Sequence, residues 1–313
     1  MAIGRVSTYQ LNKSFTGQIG NTQAKFNKLS QQIQTGKKVS SITDDAAAAR
    51  GIIKANAQLG DIDTYVANLK MADNELTQTD NTLKSVSDKL QEAYDLAMTV
   101  ANGTNGEEQL EAYRQQLDSI IESVTALANT KYGDQYLFSG TRTTTPAYTK
   151  TDDGLTWNGN DEARYALIGQ DQKEQINFSG YDIFGDAQVQ TDPATGEKTV
   201  TGDGAFKALY ELKIALESDD VDTEKARETL TGLNEGIEYV TGSRTKAGAL
   251  GSQFDDLQTT YTNDTLNIKQ LRSNLEDVDL PSAISDWYSS YQALQASYQM
   301  FSQTMNVSLL NYI

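Results

Sequence analysis

The sequence predicts a mainly α fold: an elongated rod of long antiparallel helices, with a terminal two-helix coiled coil and a small inserted β-rich domain. Three observations lead there. Apolar residues repeat every seven positions from Ile62 to Ala97, the two chain ends carry matching apolar stripes, and only three prolines stand among 313 residues. Proline removes a backbone donor and clashes with the preceding turn, so the scarcity of Pro146, Pro193 and Pro281 leaves long stretches free to be helical.

The first helix is predicted over residues 9–34. Phe15, Ile19, Phe26, Leu29 and Ile33 fall on an a/d heptad, with Thr22 as its weak member. So narrow a stripe on a helix rich in Gln, Asn and Lys suits a coiled-coil seam better than a globular core. Gly36 then interrupts the pattern. Ser41-Ile42-Thr43-Asp44 has capping-box spacing, and Asp44 and Asp45 favour the positive end of a helix. A metal reading of this acidic pair finds no further ligand at the required spacing.

From about 44 to 102, Ile62, Leu69, Leu76, Leu83, Leu90 and Ala97 mark one heptad position, flanked by Leu59, Val66, Val86, Tyr94 and Val100. A helix of that length measures about 90 Å, too long for a compact domain of this size. Asn102-Gly103-Thr104-Asn105-Gly106 is a turn cluster. Glu107 opens a third helix whose Leu110, Tyr113, Leu117, Ile120, Val124 and Leu127 sit three and four apart, predicting a hairpin back along the long helix.

Between 134 and 204 the texture changes to Gly, Thr, Asp and Asn around short aromatic or β-branched runs. Tyr136-Leu137-Phe138, Leu155-Thr156-Trp157, Tyr165 to Ile168 and Ile176-Asn177-Phe178 read as strands, divided by turns at Asn158-Gly159 and Asp192-Pro193-Ala194-Thr195-Gly196. Helical spacing resumes with Phe206, Leu209, Leu212 and Leu216, and again after Asp222 with Ala226, Leu230, Leu233, Ile237 and Val240. Phe254, Leu257, Tyr261, Ile268, Leu271, Leu275 and Val278 continue as a heptad broken at Asp264. Pro281 is placed to open the last helix, where Ile284, Trp287, Tyr291, Leu294, Tyr298, Phe301, Met305 and Leu309 share a face and Leu310 keeps the end apolar.

The residue inventory narrows the chemistry. With no Cys and no His, the thiolate nucleophile, the imidazole base and the commonest metal ligands are all missing. A net charge of −17 disfavours nonspecific binding to nucleic acid or to an anionic membrane. The Gly-rich pieces at 139–141 and 201–204 lack the Lys-Ser/Thr of a P-loop, and Ser218 to Asp222 lacks the Gly and terminal Glu of a calcium loop. No apolar h-region follows residues 1–8, and no run of about 18 apolar residues is present to span a membrane. The sequence therefore predicts a structural chain without catalytic, metal or cofactor site, and without nucleic acid or membrane insertion.

The terminal segments carry a resemblance. Leu29-Ser30, Thr35-Gly36-Lys37-Lys38-Val39 and Thr43-Asp44-Asp45-Ala46-Ala47 resemble the N-terminal signature of bacterial flagellins and flagellin-like axial proteins. Ser273-Asn274-Leu275-Glu276-Asp277-Val278-Asp279, and Leu294-Gln295-Ala296-Ser297-Tyr298 through Ser308-Leu309-Leu310, resemble the C-terminal one. Leu127-Ala128-Asn129 with Gly133-Asp134-Gln135-Tyr136-Leu137-Phe138-Ser139-Gly140, and the aromatic rather than Ala/Asn/Gln-rich ending, point within that family to its hook-associated junction members. Against that stand the extended start Met1-Ala2-Ile3-Gly4 before Arg5-Val6-Ser7-Thr8, where the junction members usually begin almost at the Arg, and the full Asp44-Asp45-Ala46-Ala47 run, which filament members also show.

The resemblance implies an inner terminal domain from 1–42 and 275–313, a helical rod from 43–133 and 205–274, and a β-rich outer domain from 134–204. It also implies an extracellular place in the flagellum, reached by type III export without a cleaved signal, and escort by a cytoplasmic chaperone. The implied partners are copies of itself, hook-associated protein 1 and flagellin. The expected assembly interface is Phe15, Ile19, Phe26, Leu29 and Ile33 with Ile284, Trp287, Tyr291, Leu294, Tyr298, Phe301, Met305, Leu309 and Leu310. Each stripe lacks a partner until the ends meet, so folding of the ends and assembly are expected as one event. A filament subunit is the alternative; a coiled-coil adhesin or tail fibre is a more distant one.

Overall fold

The computed structural model describes residues 8–103, 106–151, 153–217 and 222–310, with the side chains of 8, 9, 11, 12 and 304–310 outside the description. In chain order come α1 (Thr8–Thr35), α2 (Ala46–Ala101) and α3 (Glu107–Ala128). The strands follow as β1 (Lys131–Tyr132), β2 (Gln135–Tyr136), β3 (Tyr148–Thr151), β4 (Gly154–Trp157), β5 (Tyr165–Gly169) and β6 (Gln172–Gln175). Then come α4 (Gly180–Phe184), β7 (Asp186–Thr191), β8 (Lys198–Asp203), α5 (Gly204–Glu217), α6 (Thr223–Glu276) and α7 (Leu280–Leu310). The fold is mainly helical with small antiparallel sheets, as the sequence predicts. Its contacts divide the chain into two compact units, Met1–Asp61 with Asn263–Ile313, and Ile62–Thr262.

In the unit formed by 62–262, the predicted heptad of α2 is the spine of the core. Leu69, Leu83, Leu90 and Ala97 are completely buried. Leu117, Ile120, Ile121 and Val124 of α3 join Leu83, Leu90 and Ala97 in one cluster, which also takes in Phe206, Leu209, Leu212 and Leu216 of α5 and Leu233 and Val240 of α6, while Leu69 belongs to a second cluster with Leu76, Ile168 and Phe254. Gly232 and Gly236 let α5 and α6 approach closely: a Cβ there would stand 3.0 Å from Ala208 Cβ and 2.8 Å from Ala205 Cβ.

The strands do not form a separate core. Leu155, Ala187, Tyr148, Phe138 and Phe184 belong to the same buried cluster as the helices. The four-stranded sheet runs β3-β4-β7-β8, all antiparallel, and β1-β2 and β5-β6 form two-stranded ribbons. Phe138 meets Phe184 edge-on at 5.2 Å, and Tyr148 packs on Phe206 at 4.9 Å. The Tyr148 hydroxyl, 2.8 Å from both the Gly180 and Gly185 carbonyl oxygens, donates into this backbone pair. Burial holds that phenol well above its ordinary range.

Several strand expectations need correction. Ile176-Asn177-Phe178 is not a strand: it follows β6 as irregular chain. Asn177 is buried there because its amide serves the backbone on both sides. It accepts from Arg164 N–H at 2.7 Å and donates to Glu162 O at 3.0 Å. Leu137 and Phe138 form a buried turn after β2 rather than a strand. Asn158-Gly159 follows β4 without forming a hairpin, whereas Asp192 to Gly196 does join β7 to β8. In that turn the Asp192 carboxylate accepts from Ala194 N–H at 2.7 Å.

Helix boundaries differ in two places. The predicted capping box at Ser41 is half present: Asp44 accepts from Ser41 N–H at 3.0 Å, yet α2 begins at Ala46. Its cap is Asp45, whose carboxylate accepts from Ala47 and Ala48 N–H at 2.9 and 3.0 Å. Pro281 is the second residue of α7 rather than the first, which costs nothing because first-turn N–H groups lack intrahelical partners anyway. On α6 the seam runs through Tyr261, Thr265, Ile268, Arg272 and Leu275, while Leu271 is exposed. Asp264 therefore breaks nothing, because its neighbour Thr265 occupies the seam.

Candidate assembly interface

The terminal unit is closed by a short joint between distant parts of the sequence. Gly36, at φ +71°, ends α1 in a left-handed conformation that a side chain would strain. The next residues then run antiparallel to the segment between α6 and α7. Val278 N–H donates to Gly36 O at 2.9 Å, Lys38 N–H donates to Glu276 O at 2.7 Å, and Lys37 and Asp277 form an isolated bridge. Side chains tighten the joint. Lys38 Nζ donates to Asn274 O at 2.6 Å, Lys37 pairs with Glu276, and Lys28 pairs with Asp44 at 3.1 Å. Val39 packs there with Ala48, Ala49, Ile52 and Leu275.

Beyond the joint α1 and α7 lie side by side, and Leu29 and Leu294 are buried between them. Phe26 is the centre of an aromatic group, 5.3 Å from Trp287 and 6.1 Å from Tyr291, while Trp287 stacks on Tyr291 at 5.8 Å. Trp287 Nε1–H donates to Ser30 Oγ at 2.7 Å, and the Ser30 hydroxyl donates to Phe26 O at 2.9 Å. A half-buried indole thus has its one polar atom satisfied.

The structure divides the predicted α7 stripe in two. Trp287, Leu294 and Phe301 turn inward, and the inner seam is completed by Ala283, Ser290 and Ser297. Large and small residues each recur every seven positions, so small side chains let the helices approach beside each bulky one. Ile284, Tyr291 and Tyr298, expected on the same seam, lie on its flank with Tyr288, at 42%, 40%, 51% and 58% exposure. The correction is a rotation of one residue: an aromatic-weighted reading follows the tyrosines, whereas close packing selects the Ala/Ser positions. On α1, Phe15, Ile19, Phe26 and Ile33 are half-buried and Leu29 is buried, with Thr22 also on the inner side. Met305, Leu309 and Leu310 lie outside the described side chains. Sequence reasoning missed Ser30, Ala283, Ser290, Ser297 and the Lys37–Glu276 joint; the seven-residue recurrence at 283, 290 and 297 was the available signal.

Elsewhere, an open groove of about 810 Å³ is lined by Tyr181, Asp182, Asp203, Glu235, Tyr239 and Lys246 among others. Its carboxylates are exposed, without the burial that sets a general acid apart from its neighbours. Among the described residues no three His, Cys, Asp or Glu are grouped to hold a metal ion, and no helix is long and apolar enough to cross a membrane.

Comparison with known proteins agrees with this architecture. The family models for the bacterial flagellin N-terminal and C-terminal helical regions match residues 6–143 and 230–313. Flagellar hook-associated protein 3 of Salmonella typhimurium is 28% identical over 317 residues, covering 97% of this chain and 98% of that protein. A flagellin of Listeria innocua is 25% identical over 286 residues, covering 91% and 88%. The fold is shared with the crystal structure of the flagellar junction protein FlgL from Legionella pneumophila, at TM-score 0.57 and 14% identity over 73% of this chain and all of that one. With both ends matched around a helical core of this kind, the chain belongs to the bacterial flagellin family.

Proposed function

We propose that the chain is a structural component of the bacterial flagellum, the subunit that joins hook to filament, and that its work is assembly rather than catalysis. One observation carries the assembly reading: α1 and α7 bury one seam against each other and leave a second row on the same helix, Ile284, Tyr288, Tyr291 and Tyr298, between 40% and 58% exposed. Full-length similarity to a hook-associated protein 3 supports the junction position. The interface comprises the α1 and α7 positions named above, Met305, Leu309 and Leu310 included. Its partners are further copies of the chain, hook-associated protein 1 on the hook side and flagellin on the filament side.

In this reading residues 1–42 and 275–313 form the inner layer, 43–133 and 205–274 the rod, and 134–204 the outward part. The chain leaves the cell by the flagellar type III route without a cleaved signal, escorted by a cytoplasmic chaperone. Burial of one large side chain contributes about 1.5–3 kcal/mol, while ordering one residue costs about 1–2 kcal/mol. The ends therefore gain most when neighbouring copies share the burial. A filament subunit is the second reading, favoured by the match to a flagellin over most of both chains.

Gold-labelled antibody against the chain, viewed on isolated flagella by electron microscopy, separates the two. Label confined to the hook–filament boundary is the expected result, and label along the filament establishes the second reading. Deletion of roughly the last 30 residues is expected to leave a soluble chain absent from flagella; full swimming from that truncation refutes assembly through the ends.

A further inference from the structure

Asparagine is followed by glycine at three places in the sequence, 102–103, 105–106 and 158–159. In such a pair the glycine backbone nitrogen is the nearest nucleophile to the asparagine side-chain carbonyl, and no Cβ shields it. In the first two pairs that nitrogen is engaged. Gly103 N–H donates to Val100 O at 3.1 Å, and Gly106 N–H donates to Gln109 Oε1 at 3.1 Å. Gly159 N–H has no hydrogen-bond partner among the described residues. Glycine is also the residue that fits there, since a Cβ at 159 would stand 2.7 Å from Cε2 and Nε1 of the Trp157 ring.

Three segments converge on Asn158. Its N–H donates to Ala147 O at 2.9 Å, which holds the residue beside the start of β3. Arg142 Nη1 donates to Asn158 O at 3.3 Å, and Asn158 Nδ2 donates to Thr149 Oγ at 2.7 Å. Thr149 is fixed in turn by its pairing with Thr156 across β3 and β4. The Arg142 and Thr149 contacts fall on atoms whose charge changes when Gly159 N attacks Asn158 Cγ. Loss of the N–H proton spreads negative charge over Gly159 N and Asn158 O, and Asn158 O is the oxygen to which the guanidinium donates. Departure of Nδ2 requires a proton, and a hydroxyl that carries one stands against it.

We infer that Asn158-Gly159 is a self-modifying site, at which the folded chain converts its own asparagine to aspartate and isoaspartate. The Gly159 N–H proton passes to water, Gly159 N bonds to Asn158 Cγ, and the Cγ–Nδ2 bond breaks. Nδ2 leaves as ammonia, its proton relayed through the Thr149 hydroxyl, and a cyclic imide remains. Water then adds to either imide carbonyl and reopens the ring, with nothing oxidised or reduced. One opening restores the main chain with a carboxylate at 158, within reach of Arg142. The other routes the main chain through the former side chain and adds a methylene just ahead of Asn160. That residue is tightly held. Asn160 N–H donates to Ser139 O at 3.3 Å, and its Oδ1 accepts from Thr141 N–H at 2.8 Å. The age of the molecule is thereby recorded as charge or displacement in the segment between β4 and β5. The inference does not depend on the assembly reading, and its failure leaves that reading untouched.

The test incubates the full chain at neutral pH, folded or in guanidinium, and reads conversion at each asparagine by peptide mass spectrometry with isoaspartyl methyltransferase labelling. Folding restrains the backbone and should slow conversion at Asn102. At Asn158 the folded chain is expected to convert about tenfold faster than the denatured one, equivalent to about 1.4 kcal/mol of barrier. Folded Arg142→Met should lose about that tenfold, as should Thr149→Val, whereas Thr149→Ser keeps the hydroxyl and the rate. None of these changes should alter the rate in guanidinium. Equal or slower conversion of Asn158 in the folded parent chain overturns the inference, whether or not the variants fold. So does an Arg142→Met or Thr149→Val chain that is folded by circular dichroism and converts at the parent rate.

Discussion

Replacing Trp287 by alanine tests the terminal pair at its most connected side chain. The substitution removes ring contacts to Phe26 at 5.3 Å and Tyr291 at 5.8 Å and the hydrogen bond to Ser30 at 2.7 Å. Full burial of a tryptophan makes truncation cost about 3–5 kcal/mol, and this ring is half-buried, so roughly half of that applies. An aromatic pair adds about 0.5–1.5 kcal/mol and a hydrogen bond about 1 kcal/mol, although Ser30 retains its bond to Phe26 O at 2.9 Å. The expected loss is about 2–4 kcal/mol, confined to α1 and α7. Since about 1.4 kcal/mol is a factor of ten, local opening should rise at least twentyfold. Hydrogen exchange read by mass spectrometry checks this peptide by peptide. Amides of 15–33 and 283–301 should exchange faster, while those around Leu83, Leu90 and Leu117 keep their protection. Trp287→Phe, which keeps a ring and loses the donor, should show about a third of the effect. Unchanged protection in 15–33 after Trp287→Ala would mean that α1 does not depend on α7, and the argument for a paired terminal unit would fail.

Three further outcomes follow from other sites. Gly140→Ala places a Cβ 1.9 Å from Asn160 O at a φ of +66°, so a loss of about 2–4 kcal/mol is expected in urea unfolding, whereas Gly196→Ala, with open space at its Cβ, should lose less. Glu75→Gln leaves Arg164 uncompensated in a largely buried site, with an expected loss of about 2–4 kcal/mol; Glu75→Met with Arg164→Leu should recover most of it, by the same measurement. Backbone N–H groups of Ala48 and Ala47 hold the Asp45 carboxyl below its usual value, and Lys28, with Ser40 and Ser41 N–H groups, does the same for Asp44. A lowered folded-state pKa gives stability that is present above the unfolded value of 3.8 and is lost as pH falls through the folded one. Burial and Asp255 raise Asp73, the opposite sign, so its contribution improves as pH falls toward 3.8. Acid titration followed by hydrogen exchange should therefore weaken 46–52 below about pH 4, and Asp45→Asn should flatten that response.

How much of this was legible in the sequence depends on how local the cause is. The α2 heptad was plain because Leu69, Leu83 and Leu90 occupy one repeating position of one uninterrupted helix. The turn at Asp192 to Gly196 was equally plain, since its aspartate bonds its own backbone. Ile176-Asn177-Phe178 misled because its apolar residues are drawn inward by neighbours, while its backbone is served by the Asn177 amide rather than by a ladder. The one-residue rotation of the α7 seam has the same origin. Which of two adjacent stripes faces α1 is decided by helix approach at Ala283, Ser290 and Ser297, a property of the pair that neither helix states alone.

The joint between Gly36 and Val278 also sets an order of events. The Trp287–Ser30 bond spans 257 residues of sequence, a long loop to close from an unfolded chain. Within the other unit, however, Tyr65 and Tyr261 already lie 5.9 Å apart. Once that unit has folded, only the short lengths outside those tyrosines remain to be closed. Loop entropy grows with the logarithm of length, so the saving is about 1 kcal/mol, enough to favour a route in which the middle folds first and the ends meet last. On the ribosome the constraint is stricter. The first helix to emerge waits for nearly the whole chain to be made before the helix that covers it exists, and through that interval Phe15, Ile19 and Phe26 are the side chains left without their final partner.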